Sequence, residues 1–190
     1  MGNFYTNYTL RGPSPQAIVA ALAGRSAIVT PAQNGCVVVF DEESEEQDTD
    51  VITLLASRLS RQLRCPVLAL LNHDDDILAY WLYLSGELAD EYDSSPGYFD
   101  PAAEISPPAG GDAQKLCNAF GANAVAEVES VLRKVPRDDE FYFADDRHRD
   151  LARFLGVPSF VVGAGFRYVS QGELPAGLEE DALMRVGPVR

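Results

Sequence analysis

The densest chemistry in the chain lies at NHDDD, residues 72–76, where His73 precedes Asp74, Asp75 and Asp76 between two strongly apolar runs. Carboxylates clustered at a loop suit a hard cation, because calcium takes about six to eight oxygen ligands and magnesium an octahedron completed by water. They also suit acid/base work, since like charges held close push one pKa upward. Against both stands a plainer role: Asp and Asn side chains cap backbone groups in tight turns.

The neighbours of this loop follow from strand pairing. If Ser85-Gly86 closes a two-residue hairpin, Leu84 faces Glu87, Trp81 faces Asp90 and Leu78 faces Asp93. The returning strand then ends beside residues 73–76, bringing Asp93 and the segment SSPGYFD with it. The expected site is an acidic rim of Asp74, Asp75, Asp76 and Asp93, with His73 and Tyr98 close by and Asp100 alongside. The four aspartates are the candidate ligands for Ca or Mg, and no residue is assigned a catalytic role.

Other chemistry is thin. There is no GxSxG elbow, Walker A loop, HExxH or Rossmann GxGxxG, and GAGFRY at 163–168 fails the last spacing. Two histidines, His73 and His148, are too few for zinc held by several imidazoles. Residues 41–50 carry seven acids in ten but lack the glycine and glutamate of an EF-hand loop, so they read first as a solvated lead-in to a helix and second as a docking strip for a basic partner. Residues 150–169 have a helix-turn-helix look, weakened by Gly163 and Gly165 and by acidic surroundings; a structural helical hairpin is expected. Arg147, His148, Arg149 and Arg153 alternate with Asp145, Asp146 and Asp150 and read as exposed helix-surface ion pairs, with His148 at the surface. The adjacent aromatics Phe141, Tyr142 and Phe143 cannot all be buried by one element, so at least one should meet another part of the fold or a partner.

The elements that must position these groups are legible from periodicity and turn residues. Residues 3–11 alternate as a strand, and Ser14-Pro15 caps a short helix. Runs 26–30 and 36–40 pair across Asn34-Gly35, and Val51, Leu54, Leu55, Leu59 and Leu63 mark a second helix capped by Asp48 or Thr49. Strands at 66–71, 77–84 and 87–92 complete the order strand, helix, strand, strand, helix, strand, strand, strand. The expected fold is α+β: a ferredoxin-like split βαβ sheet extended by an antiparallel meander, with a C-terminal helical subdomain packing on it. The expected boundaries are 1–93 for the sheet domain, 94–111 for a Pro/Gly-rich connector and 112–190 for the helical subdomain. Runs 66–71 and 77–84 are apolar on both faces, so either the C-terminal helices or a second copy in a homodimer should cover the face that the first two helices leave open.

Composition sets the outer bounds. The 190-residue chain has a net charge of -14, with 15 acids and 5 bases in residues 1–100 against 14 and 10 in the remainder. Nucleic acid and anionic membrane are poor partners for such a surface. Cys36, Cys65 and Cys117 form no CxxC pair, and the start, residues 1–12, lacks a signal-like run; a compact cytoplasmic protein of bacterial type is expected. The leading expectation is a non-enzymatic interaction, regulatory or immunity-type protein whose acidic half binds a basic protein partner. The alternatives are a small metal-dependent enzyme or divalent-cation-binding protein using the rim, and a small-ligand-binding regulatory module.

Overall fold

A computed structural model describes residues 2–100, 102, 106–135 and 142–187. Its frame is one antiparallel sheet of eight strands in the order β7-β6-β5-β4-β1-β3-β2-β8. The strands are β1 (Phe4–Arg11), β2 (Ala27–Val29), β3 (Cys36–Asp41), β4 (Val67–His73), β5 (Ile77–Leu84), β6 (Glu87–Asp93), β7 (Ala109–Gly110) and β8 (Met184–Val186). The helices are α1 (Pro15–Ala21), α2 (Thr49–Leu63), α3 (Ala113–Phe120), α4 (Val125–Arg133), α5 (Ala144–Leu155) and α6 (Phe166–Ser170).

Local chemistry explains the first elements. The Ser14 side chain accepts from the Ala17 amide with Pro15 opening α1, and Asp48 accepts from the Asp50 and Val51 amides to start α2. Asn34 and Gly35 both take positive φ, and Gln33 and Cys36 exchange two backbone hydrogen bonds across them.

The sheet separates two cores, as the period of a strand requires. Tyr8 and Leu10 of β1 point to α1 and α2, where Ile18, Leu22, Ile52, Leu55 and Leu59 close one layer. Tyr5 points the other way, into a cluster that joins Leu68, Leu70, Leu78 and Tyr80 to Leu116, Phe120, Leu132, Leu151 and Leu155 of the C-terminal helices. Those helices are therefore the cover that the doubly apolar strands require.

Three features depart from the expectations. Two short edge strands arise where none was expected: β7, from the Pro/Gly-rich stretch, extends β6, while β8 pairs with β2 at the opposite edge. Residues 150–169, expected as a structural helical hairpin, are more broken than that: α5 stops at Gly156 in a left-handed conformation, residues 159–161 make one 3-10 turn, and α6 has five residues. A bulge in β6 also shifts the meander register. Leu84 does face Glu87, but Ala89 is extra, so Trp81 faces Glu91 and Ala79 faces Asp93. Leu78 is part of the core beneath the C-terminal helices, so the regular register would have put Asp93 in that core. The bulge turns Asp93 to the α2 face instead.

Candidate functional site

The 74–76 turn is a three-residue connection between His73 and Ile77, which pair directly. Asp74 and Asp75 hold positive φ, a conformation Asp tolerates better than most residues. Each aspartate then turns to a different donor. Asp74 accepts from the Gly2 amide at 2.8 Å, Asp75 from the Asn72 side-chain amide at 3.2 Å, and Asp76 from the Tyr98 hydroxyl at 2.8 Å. Asp93 accepts from the Ser95 amide at 2.8 Å. Among the described residues, no group of three His, Cys, Asp or Glu side chains is arranged to hold a metal ion.

One side of this turn anchors the second layer. The Ala144 amide at the start of α5 donates to the Asp75 carbonyl at 2.7 Å, and Asn72 donates to Asp145 at 2.7 Å. Tyr5 lies 3.0 Å from Asp145 and 2.8 Å from His148 Nδ1. A hydroxyl has one proton and an ionised carboxylate only accepts, so Tyr5 donates to Asp145 and His148 Nδ1–H donates to Tyr5. Burial, with Arg149 adding, pushes the His148 pKa down to about 3, and burial pushes Asp145 up, with Asp75 nearby adding.

This corrects the surface reading of His148: its residue is 4% exposed. Arg147 is buried beside it and donates to the carbonyls of Val131, Leu132 and Lys134 as α4 ends, while Arg149 and Arg153 do form the expected surface pairs with Asp146 and Asp150. Of the aromatic triplet, Phe141 lies outside the described residues, Tyr142 sits under the Lys134 ammonium at 3.8 Å, and Phe143 is exposed.

The other side of the turn opens on a groove of about 710 Å³ over the β4-β5-β6 end of the α2 face. Its floor is Leu71, Ala79 and Trp81; the 3-10 turn before α2 contributes Glu46 and its cap Gln47, α2 contributes Thr49, and residues 95–100 contribute Tyr98, Phe99 and Asp100. His73 is fixed there by a 2.6 Å hydrogen bond from its Nδ1 to Gln47 Oε1, while Gln47 donates to the Asn72 carbonyl at 2.7 Å. The rings of His73, Tyr98 and Phe99 meet edge to face at 5.0 to 6.2 Å, with mutual angles of 69, 81 and 85°. They make a corner of three nearly perpendicular planes. The hydrogen bond to Asp76 raises the Tyr98 phenol pKa.

Of the six residues expected at the rim, His73, Asp93 and Tyr98 line this groove, and Asp76 joins it through Tyr98. Asp74 and Asp75 turn away, to the N-terminal segment and to Asn72 beside α5. Sequence reading did not assign Trp81, Phe99, Glu46 or Gln47 to the site. The available signal was the doubly apolar β5, whose Trp81 packs at the margin of the α1/α2 layer and stays partly exposed. The acidic run at 41–50 is partly structural: Asp41 is buried in a double hydrogen bond with Arg25 at 2.6 Å, and Glu45 accepts from the Phe166 amide at 2.6 Å. Among the described residues, no helix is long and apolar enough to cross a membrane. No protein-family model, curated protein or solved structure matches this chain.

Proposed function

We propose that this chain is a protein-binding module whose acid-rimmed aromatic groove takes a basic, apolar-bearing segment of a partner protein. The observation that carries the reading is the groove's composition among the described residues: four rings (His73, Trp81, Tyr98, Phe99), three acids (Glu46, Asp93, Asp100) and no Lys or Arg. A Lys or Arg head over such rings gains about 0.5–2 kcal/mol, and its alkyl stem covers apolar floor. The net charge of -14 adds long-range steering of a basic partner. Each rim aspartate already uses an oxygen on a local donor, and no comparable observation favours a cation or a reaction there.

The order β4-β1-β3-β2, joined through α1 and α2 on one face, supports a ferredoxin-like split βαβ unit to which β5 and β6 add a meander. The groove then lies on the α2 face of the meander, beside the N-terminal end of α2. The test is an amide chemical-shift titration with a synthetic peptide alternating Lys or Arg with Leu or Phe. Shifts should cluster at residues 71–81 and 93–100 and be absent with the same peptide carrying Glu. Scattered shifts, or equal response to both peptides, defeat the reading.

A further inference from the structure

The chain carries, on its own surface, a feature of the chemistry that the groove accepts. Residues 1–100 contain five basic side chains, and three of them, Arg25, Arg58 and Arg61, line a single second groove of about 480 Å³ along α2. Between them lie Val51, Leu54 and Leu55. Leu54 is 72% exposed, on a helix whose buried face is already supplied by Ile52, Leu55, Ala56 and Leu59. Arg25 is committed to Asp41 and Glu43. Among the described residues, Arg61 pairs only with Glu87, at 3.8 Å with both side chains exposed, and Arg58 has no ion pair. A solvent-facing leucine beside two weakly engaged arginines is an apolar and basic strip on an otherwise acidic half.

We infer that the α2 strip of one copy, Leu54 with Arg58 and Arg61, docks in the aromatic groove of a second copy, so that the chain associates head to tail. Charge complementarity carries this: the strip supplies cations and a leucine, and the groove supplies Glu46, Asp93 and Asp100 around rings. The two surfaces share no residue, so a copy whose groove is filled still presents its strip. Such a contact is heterologous and adds copies in series, unlike the closed pairing of a two-fold dimer. The inference rests on the groove reading above and names the second copy as one basic partner.

Sedimentation velocity tests it with two variants changed only at exposed positions, Leu54→Glu with Arg58→Glu, and Glu46→Lys with Asp100→Lys. Wild type at about 0.05 M salt should sediment faster as its concentration rises, without levelling at a dimer, and should revert to monomer at about 0.5 M salt. Each variant alone should stay monomeric, while their equimolar mixture should give one 1:1 dimer, because each retains the surface the other lacks. A monomeric wild type, an association that survives in either variant, or a mixture that stays monomeric overturns the inference. If the basic peptide still shifts residues 71–81 and 93–100 in a monomeric wild type, self-docking alone has failed; if it does not, the groove reading has failed too.

Discussion

Replacing His148 by Gln isolates a pH dependence that the fold builds into its second core. The imidazole is buried, donates to Tyr5, and is held neutral down to about pH 3 against an ordinary value of 6.5. A histidine with a lowered folded pKa contributes its full stability above the unfolded value and loses it as pH falls, because below 6.5 the unfolded chain binds a proton that the folded chain does not. Between pH 7 and pH 5 this costs about 2 kcal/mol, from roughly 1.4 kcal/mol per unit over about 1.5 units. Asp145, with its raised pKa, works in the opposite direction, since the folded chain takes up the proton first. The readout is therefore the difference between wild type and His148→Gln. Urea unfolding at pH 7, 6 and 5 should show wild type losing about 2 kcal/mol more than the variant by pH 5. Parallel pH profiles for the two proteins would refute the burial argument for His148.

Other consequences are equally direct. Asp41→Ala leaves Arg25 without its buried partner and Ser44 without its acceptor, and should cost about 3–5 kcal/mol by chemical denaturation. Arg147→Met uncovers carbonyls at the end of α4 and should cost about 2–3 kcal/mol in the same measurement. Phe99→Ala should leave the thermal midpoint within a degree or two, since the ring is 71% exposed, yet weaken basic-peptide binding about tenfold by calorimetry.

Local chemistry made much of the frame legible. Ser14-Pro15, Asn34-Gly35 and Asp48 act through their own backbone neighbours, and the antiparallel α+β sheet follows from the runs they separate. The features that escaped depend on distant partners. The bulge at Ala89 has no Gly or Pro to announce it, yet it decides which face Asp93 takes. Arg147 and His148 sit among acids on α5 and look exposed until Tyr5 and the end of α4 close over them. Of NHDDD, His73 lines the groove and Asp76 meets it through Tyr98, while two of its aspartates serve the turn and the α5 junction. Trp81, which reads as core or interface packing ahead of a ligand pocket, and Phe99, which carries no motif, form much of the surface.

Trp81 is the chain's single tryptophan and stands in the groove floor, so its emission reports occupancy without a label. Titrating the basic, apolar-bearing peptide into the protein should change that emission saturably, with a Kd that rises about tenfold or more between about 0.05 and 0.5 M salt. The acid-rimmed groove reading predicts that Glu46→Gln with Asp93→Asn and Asp100→Asn abolishes most of this salt dependence while leaving the fold intact. Unchanged Trp81 emission, or an affinity indifferent to both salt and these three acids, would contradict it.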